Sequence, residues 1–541
     1  MKRKYELFIM LSASALLTGA AVAFPDIFGI FEWASMVPLI TALMRLAEDG
    51  SVKLRRTYLW GLFYFELFYM VCFHFFLYLY PLDFTGLDEV GSVLAIGVAW
   101  LGLPFLQALF GGFVFVVFVA TYRSRLAKRM PVINIFSLAV IYPFYEFTQT
   151  LGWWGVPWGR LPIGQTSLIL PVQTASLFGS YFITALIALV NCFIYQAIRS
   201  LSQRRAAVRY ASLALGCFAI NLALGGFLYI GASKKEDQAP TATVGIVQGN
   251  YDSADKWFAT PPSIISRHLS LTEACANEGA EVVIWAETAL PFTVDPESEF
   301  AKDIAQVAKK HEITVLVGCM QYEDGNDYNS IICFKPDGTV DDVVYHKRHL
   351  VPFGEYVPMR PVVDALLPFL SEISMLSEDM TPGDEASVFD TNAGMIGSLI
   401  CFDSIYEELA RSTTKSGAEL LAVSTNDSWF SDSSGIYMHN AQAKLRAIEN
   451  GRYAVRSGNT GLSGIITSTG RTVVEIEPLT EGYAVGEVAL LNHTTMYTIV
   501  GNLFVYILGV LILCVPTYAL VLEVKCRADA YRSARDSAHN S

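Results

Sequence analysis

Cys401 stands at the end of an apolar run that has the character of a β-strand, and a helix-like stretch follows it within a few residues. A strand end that presents a side chain before a helix is a common place for the nucleophile of an α/β enzyme. Glu287, which follows Val283-Ile284-Trp285, and Lys347, which opens a loop, precede it in similar contexts. A thiol, a carboxylate and an ammonium group predict a site that processes amides or esters.

Each of the three residues has its own part in such chemistry. A thiol is a good nucleophile only as its thiolate, so Cys401 needs a base or a cation nearby. Glu287 would take the thiol proton and later activate the acyl acceptor, while the Lys347 ammonium would stabilise the oxyanion of a tetrahedral intermediate. Taken singly, Cys401 could be a small buried apolar residue, and either charged residue could be a solvated surface group.

The composition indicates a membrane protein. Of 541 residues, 53% are hydrophobic and 16% are charged, and the mean hydropathy of +0.39 is too high for a soluble protein of this length. Stretches long enough to cross a bilayer fill residues 1–231, globular alternation fills 232–491, and one more span with a tail fills 492–541. We expect a polytopic α-helical membrane protein with an inserted α/β domain and about eight transmembrane helices. The predicted spans are 6–24, 28–46, 58–80, 93–121, 133–151, 168–198, 210–230 and 497–522.

The short loops predict the orientation of the chain. Loops rich in Lys and Arg stay on the cytoplasmic side, and basic residues recur at the N-terminus, at positions 53–56, 123–129 and 199–209, and in the tail. Both termini are therefore predicted inside and the domain 232–491 outside the cytoplasm. The first span has an alternative interpretation as a signal peptide ending at Ala21-Val22-Ala23, which leaves the domain on the same side.

The charge of the domain limits its partners. Residues 232–491 carry 18 lysines and arginines against 38 aspartates and glutamates, a net charge of −20, which argues against nucleic acid because phosphate binding needs the opposite field.

The nine cysteines show no tight disulfide spacing, and Cys319 and Cys333 are either core residues or a pair. His346, His349 and His439 show no metal-ligand spacing. Neither a metal nor a cofactor is predicted.

Strand and helix patterns alternate within the domain, which predicts mixed sheets covered by helices. Asp337-Gly338 and Thr469-Gly470 are typical of hairpin turns. The predicted strands are 241–247, 281–285, 313–319, 395–401 and 420–424, and the predicted helices are 262–277, 300–310 and 439–451.

In their order and spacing, these motifs resemble the carbon-nitrogen hydrolase (nitrilase) superfamily. Glu287, Lys347 and Cys401 lie 60 and 54 residues apart. The resemblance implies a nitrilase-like α-β-β-α sandwich, which the loops place on the extracytoplasmic side. Seven spans before it and one after it resemble the membrane branch of the superfamily, the apolipoprotein N-acyltransferases, and this implies that the domain faces the periplasm from a bacterial inner membrane. The other motifs that carry the resemblance are Val247-Gln248-Gly249-Asn250, Trp257, Trp285-Ala286-Glu287-Thr288, 347–358 and Asn426-Asp427-Ser428-Trp429-Phe430.

The resemblance implies transfer of an acyl chain from a membrane phospholipid to the N-terminal amine of a diacylated apolipoprotein, through a thioester on the cysteine. It also implies supporting roles for Glu355 and Asp403, and a substrate-binding role for Trp257, Asn426 and Trp429. One departure is that the family more often has an aromatic residue followed by glutamate after the nucleophile, so the Asp403 carboxylate is one methylene shorter.

Two other functions fit the same residues. A membrane-tethered amidase would pass the acyl group to water, and a catalytically inactive domain would serve as a receptor or scaffold that binds acylated ligands. Trp257 and Trp429 could instead be aromatic anchors at the bilayer edge, and Asn426-Asp427-Ser428 could be only a turn.

Polar residues of the membrane region add a further hypothesis. Glu146 in the fifth predicted span is either a functional group or a helix–helix contact. Trp153, Trp154, Trp158 and Arg160 follow it in an outer loop, where we expect a lipid headgroup to meet the domain.

Overall fold

The computed structural model of the chain describes residues 2–82, 87–153, 155–251, 260–366, 379–514 and 517–518. Apolar helices form the membrane region, because within a bilayer only a helix satisfies its own backbone groups in a single segment. Its helices are α1 (Lys2–Ala23), α2 (Pro25–Phe28), α3 (Glu32–Ser35), α4 (Val37–Glu48), α5 (Leu54–Cys72), α6 (Glu89–Arg123), α7 (Arg125–Arg129), α8 (Ile133–Thr148), α9 (Leu161–Gly164), α10 (Ile169–Val172), α11 (Ala175–Phe178), α12 (Ser180–Arg199) and α13 (Arg204–Glu236).

Within the described residues, five segments are long and apolar enough to cross a membrane: α1, the stretch Pro25–Glu48, α6, α12 and α13. The predicted count of about eight therefore stays a prediction. The sixth predicted span, 168–198, is shorter than expected, because Gly179 has φ +78° and separates α12 from the short helices before it. The third predicted span, 58–80, is α5 followed by a 3₁₀ helix at His74–Leu79.

The region between α13 and the C-terminal helices consists of two sheets with helices outside them. Its helices are α14 (Pro261–Asn277), α15 (Glu299–His311), α16 (Arg360–Leu366), α17 (Glu407–Lys415) and α18 (Ser434–Asn450), and α19 (Met496–Val500) and α20 (Leu503–Cys514) follow the domain. The strands are β1 (Thr241–Gln248), β2 (Val282–Ile284), β3 (Leu290–Thr293), β4 (Thr314–Glu323), β5 (Asn326–Phe334), β6 (Tyr345–His346), β7 (Val388–Thr391), β8 (Gly394–Ile400), β9 (Leu420–Thr425), β10 (Tyr453–Gly458), β11 (Ser463–Ile466), β12 (Thr472–Ile476) and β13 (Gly482–Ala489).

The two sheets stack face to face. The first has the strand order β13-β1-β2-β4-β5-β6, with β3 also on β4, and the second has the order β12-β11-β10-β9-β8-β7. Apolar side chains of both sheets, such as Ile284 and Ile400, share one core. Separate cores lie under α14 and α15 on one side and under α17 and α18 on the other. This arrangement confirms the α-β-β-α sandwich.

The predicted hairpins have different outcomes. Thr469-Gly470 joins β11 to β12 in an antiparallel pair. Asp337-Gly338 lies between β5 and β6, which pair antiparallel at Ser330–His346 and Ile331–Tyr345, and one further bridge joins Phe334 to Val340 beside the turn. The β4–β5 hairpin, with Asp324-Gly325 at its turn, was not predicted.

The domain rests directly on the membrane helices. Phe402 and Tyr406, in the segment after Cys401, and Leu445 of α18 belong to the same hydrophobic core as Phe75 and Trp158 of the membrane region. Burying apolar surface at this boundary stabilises the contact by roughly 25 cal/mol per Å². The predicted nucleophile is therefore next to the surface on which the two regions meet.

Candidate active site

The three predicted catalytic side chains follow the carboxyl ends of strands, at one end of the sandwich. Cys401 comes directly after β8, Lys347 directly after β6, and Glu287 three residues after the end of β2. Strands β8 and β9 run parallel, as do β2 and β4. The carboxyl ends of parallel strands lie at the same end of a sheet, and α/β folds bind their ligands there.

Lys347 is held between two carboxylates. Its Nζ donates to Glu287 Oε1 at 2.8 Å and to Glu355 Oε1 at 2.9 Å. The Lys347 side chain is 1% exposed and that of Glu287 is 7% exposed. Asn329 of β5 donates from Nδ2 to the same two oxygens, at 2.8 Å each. The four side chains form one buried, hydrogen-bonded group.

Main-chain donors fix the two carboxylates in place. The N–H of Asn426 donates to Glu287 Oε2 at 2.8 Å, and the N–H of Val351 donates to Glu355 Oε2 at 2.8 Å. Burial lowers the pKa of Lys347, but Glu287 and Glu355 together raise it well above the usual lysine range. Lys347 is therefore an ammonium group in a site that is largely closed to water, where it interacts strongly with any oxyanion.

Cys401 has a left-handed backbone conformation, with φ +47°. For a residue with a side chain this costs about 1–2 kcal/mol, so the surrounding structure must hold it. Burial raises the pKa of the thiol above its ordinary range, and the charge of Glu287 raises it further while that of Lys347 lowers it. The resting site thus contains a thiol, which needs a base to take its proton as it attacks.

Asp403 joins the nucleophile turn to the lysine segment. Its Oδ1 accepts from the N–H of His349 at 2.8 Å, and its Oδ2 accepts from Tyr345 Oη at 2.7 Å and from the N–H of Ile400 at 3.1 Å. The carboxylate is fully buried. The shorter side chain therefore reaches donors on both sides of Lys347 and in the residue before Cys401.

The predicted substrate-binding residues have different positions. Asn426 follows β9, and its Oδ1 accepts from Ser428 Oγ at 2.7 Å and from Asn459 Nδ2 at 3.0 Å. Trp429 is half-buried in the 3₁₀ turn Ser428–Phe430, whose Phe430 ring packs against Phe75 of the membrane region. Trp257 lies outside the described residues.

The sequence did not predict the roles of Asn329, Asp427 and His439 near Cys401. Asn329 occupies an ordinary strand position, and only the polar run Tyr328-Asn329-Ser330 at the start of an apolar strand hinted at it. Asp427 and His439 lie behind Cys401, and both are completely buried. Among the described residues, no group of three or more His, Cys, Asp or Glu could hold a metal ion. Cys319 and Cys333 are free and buried, so they are core residues.

A buried ionic network joins the catalytic domain to the membrane region. Glu407, at the start of α17, accepts from Arg160 at 3.2 Å, from Arg446 at 3.5 Å and from Tyr181 at 2.5 Å. Arg160 is completely buried, so the expectation that it would meet a lipid headgroup is wrong. Glu146 accepts from Thr184 at 2.5 Å and from the N–H of Leu161 at 2.8 Å, which fits the helix–helix contact.

Comparisons with known proteins agree with this architecture. A family model described as carbon-nitrogen hydrolase matches residues 243–494, and one described as apolipoprotein N-acyltransferase N-terminal domain matches residues 14–193. The chain is similar to the apolipoprotein N-acyltransferase of Geobacter metallireducens, with 29% identity over 511 residues and 92% of each chain covered. It is also similar to that of Allorhizobium ampelinum, with 30% identity over 400 residues and 72% of each chain covered.

Among solved structures, the chain is similar to Saccharomyces cerevisiae Nit3, a member of branch 10 of the nitrilase superfamily. The identity is 20% and the TM-score is 0.37, and the match covers 46% of this chain and 90% of that one.

Proposed function

Because the chain belongs to the apolipoprotein N-acyltransferase family, we propose that it transfers an acyl chain from a membrane phospholipid to the N-terminal amine of a diacylglyceryl-cysteine lipoprotein. The observation that carries the assignment of the site is the buried Lys347 ammonium between Glu287 and Glu355, at the end of the sandwich where Cys401 directly follows β8. This arrangement offers a nucleophile, a base and an oxyanion partner together.

The first half-reaction forms a thioester. Glu287 takes the thiol proton while the sulfur of Cys401 attacks the ester carbonyl of the phospholipid, and the Lys347 ammonium stabilises the resulting oxyanion. The C–O ester bond then breaks, and the leaving alkoxide takes the proton back from Glu287 as it departs as a lysophospholipid. Because the pKa of the Cys401 thiol is raised, removal of its proton by Glu287 and attack by its sulfur must coincide.

The second half-reaction forms an amide. The N-terminal amine of the lipoprotein attacks the thioester carbonyl and loses a proton to Glu287. The C–S bond then breaks, and the Cys401 sulfur recovers a proton from Glu287. A thioester keeps the acyl group activated until the amine arrives, and the positioned base avoids a separate bimolecular encounter.

The contact between the domain and the membrane helices supports a phospholipid as the donor. The turn after Cys401 shares its hydrophobic core with the membrane region. An ester at the bilayer surface therefore reaches the site without complete extraction of the lipid, and the acyl chain keeps an apolar environment.

Phospholipid alone should acylate Cys401. We expect the purified protein to gain one acyl mass on this residue and to release an equal amount of lysophospholipid. A diacylated lipopeptide added afterwards should discharge the adduct and carry a new N-terminal amide. Mass spectrometry of the protein and of the lipids after each addition measures both half-reactions.

The controls separate three functions. Cys401→Ala should form no adduct, whereas Cys333→Ala, which changes a buried cysteine elsewhere in the domain, should behave as the unmodified chain. Discharge to free fatty acid at the same rate with or without lipopeptide would indicate a hydrolase. Lysophospholipid that appears only with acceptor, and never an adduct, would contradict the thioester. Neither product would indicate a binding domain without activity.

We also propose that the catalytic domain faces the periplasm. Basic side chains gather at the end of the bundle away from the domain: Arg3 pairs with Asp49, Arg199 pairs with Glu48, and Arg123 donates to the carbonyls of residues 46–52. Basic loops of this kind stay in the cytoplasm.

A membrane-impermeant maleimide tests the orientation in intact cells. Asp237→Cys, at the exposed end of α13 beside the domain, should be labelled, and Lys128→Cys, at an exposed position of the short basic helix α7, should react only after the cells are opened. Labelling in the reverse pattern would place the domain in the cytoplasm and remove access to exported lipoproteins.

A further inference from the structure

A buried polar cluster lies behind Cys401, and the reaction described above does not use it. It consists of Asp427 after β9, His439 of α18 and Arg456 of β10, whose side chains are all 0% exposed. Arg456 Nη2 donates to Asp427 Oδ2 at 2.5 Å, and Asp427 Oδ1 lies 2.7 Å from His439 Nδ1. Although burial raises the pKa of Asp427, Arg456 and His439 hold it well below its usual range.

The other ring nitrogen of His439 contacts the main chain of the nucleophile. Nε2 lies 3.1 Å from the carbonyl oxygen of Cys401, and the Ser404 hydroxyl donates to the same oxygen at 2.7 Å. Nε2 also lies 3.1 Å from Ser404 Oγ, whose hydrogen is directed to the carbonyl. Because a lone pair on Nε2 would face the lone pairs of the carbonyl oxygen, we infer that Nε2 carries a hydrogen and donates to that oxygen. Two buried donors thus meet at one carbonyl.

This carbonyl belongs to the left-handed residue of the site. A residue with φ +47° and a side chain persists only where its neighbours determine it from several directions. Asp403 holds the peptide between Leu399 and Ile400 through the N–H of Ile400, and His439 with Ser404 holds the peptide that follows Cys401. The conformation of Cys401 in turn sets the direction of its thiol relative to Glu287 and Lys347.

We propose that His439 is a positioning residue, which fixes the carbonyl of Cys401 and thereby holds the thiol in its attacking orientation. Asp427 and Arg456 keep the imidazole ring in place, and Trp158 of the membrane region packs on it with 5.2 Å between ring centroids. The inference rests on the proposed function, because the residue it positions is the nucleophile of that reaction.

His439→Leu tests the proposal. A nucleophile displaced by about 1 Å loses roughly 100-fold in rate, so we expect acylation of Cys401 by phospholipid to slow about 100-fold, with a KM for phospholipid within about threefold of the unmodified chain. His439→Gln, whose amide can donate to the same carbonyl, should restore the rate to within about tenfold. Stopped samples analysed by intact-protein mass spectrometry give both constants.

His268→Leu is the matched control. His268 is also a buried histidine of the domain, with Nδ1 at 2.9 Å from the carbonyl oxygen of Ile264, but it lies in α14 and away from the Cys401 turn. We expect its acylation rate within about threefold of the unmodified chain, even where its melting temperature falls as far as that of His439→Leu. Ser404→Ala removes the second donor to the same carbonyl and should slow acylation about tenfold.

A second readout does not depend on the proposed function. Release of the turn exposes the thiol, so iodoacetamide at one fixed pH should alkylate Cys401 at least about fivefold faster in His439→Leu than in His439→Gln or His268→Leu. A folded His439→Leu with unchanged acylation and alkylation rates would overturn the proposal. An unmodified chain that never acquires an acyl group would instead refute the proposed function, and the alkylation rates would still decide the role of His439.

Discussion

Cys401→Ala, Glu287→Gln and Lys347→Ala should each reduce lipoprotein N-acylation at least about 1,000-fold, because each removes a group on which the same transition state depends. Residues that act as a unit are not additive, so a double variant should be hardly slower than either single one. Turnover with phospholipid and lipopeptide measures the loss, and the melting temperature in detergent shows that the chain is folded. Full activity of Cys401→Ala would exclude the covalent route.

The pH dependence of thiol alkylation distinguishes the two charged partners. Burial is the main cause of the raised pKa of Cys401, and Glu287 adds to it while Lys347 opposes it. Glu287→Gln should therefore move the alkylation midpoint to lower pH even though turnover is lost, whereas Lys347→Ala should move it to higher pH. Equal midpoints in both variants would mean that neither charge acts on the thiol.

Glu407→Ala should destabilise the protein by about 3–5 kcal/mol, the usual result of removing one partner from a buried ion pair. Glu407 is 2% exposed and is shared by Arg160 and Arg446, so its loss leaves two guanidinium groups in the interior with less compensation. Because it begins the helix after the nucleophile turn, the loss should also loosen the contact between the domain and the membrane region. Denaturation in detergent gives the free energy.

Glu408→Ala provides the control one residue away. Its side chain is 55% exposed and pairs with Arg411 on the surface, so its loss should cost at most about 1 kcal/mol. Glu407, in contrast, makes the stability depend on pH. Burial raises the pKa of Glu407, but Arg160 and Arg446 lower it overall. Its contribution to the free energy of unfolding is therefore present at neutral pH and is lost as the pH falls through its folded-state pKa. Equal destabilisation by the two variants would show that the network is not an anchor.

Cys401, Glu287 and Lys347 could be proposed from the sequence because each ends or follows a short apolar segment, and residues at the ends of strands are common positions for reactive groups in α/β folds. The predicted strands at 395–401 and 420–424 correspond to β8 and β9 for the same reason. Asn329 could not be found in this way. It is one polar residue within a strand, and its importance arises only where β5 passes under Glu287 and Glu355.

In the membrane region, too, some features could be predicted from the sequence and others could not. Hydropathy located the apolar segments, since the cost of placing polar groups in lipid depends on local composition. It did not show that Gly179 delays the start of α12, nor that Arg160 turns inward to Glu407. A charged residue in an outer loop has the same local signal whether it meets lipid or a buried partner 247 residues away.

Membrane association, the alternation of strands and helices, and the three candidate groups could be predicted from the sequence, because they depend on periodicity and on residues near one another in the chain; the sandwich itself was implied by the family resemblance. The carboxylates around Lys347, the link that Asp403 makes between two segments, and the place of His439 behind Cys401 became visible only in the folded chain. Buried polar groups need partners, and these come from distant segments that only the packed fold brings within hydrogen-bonding distance.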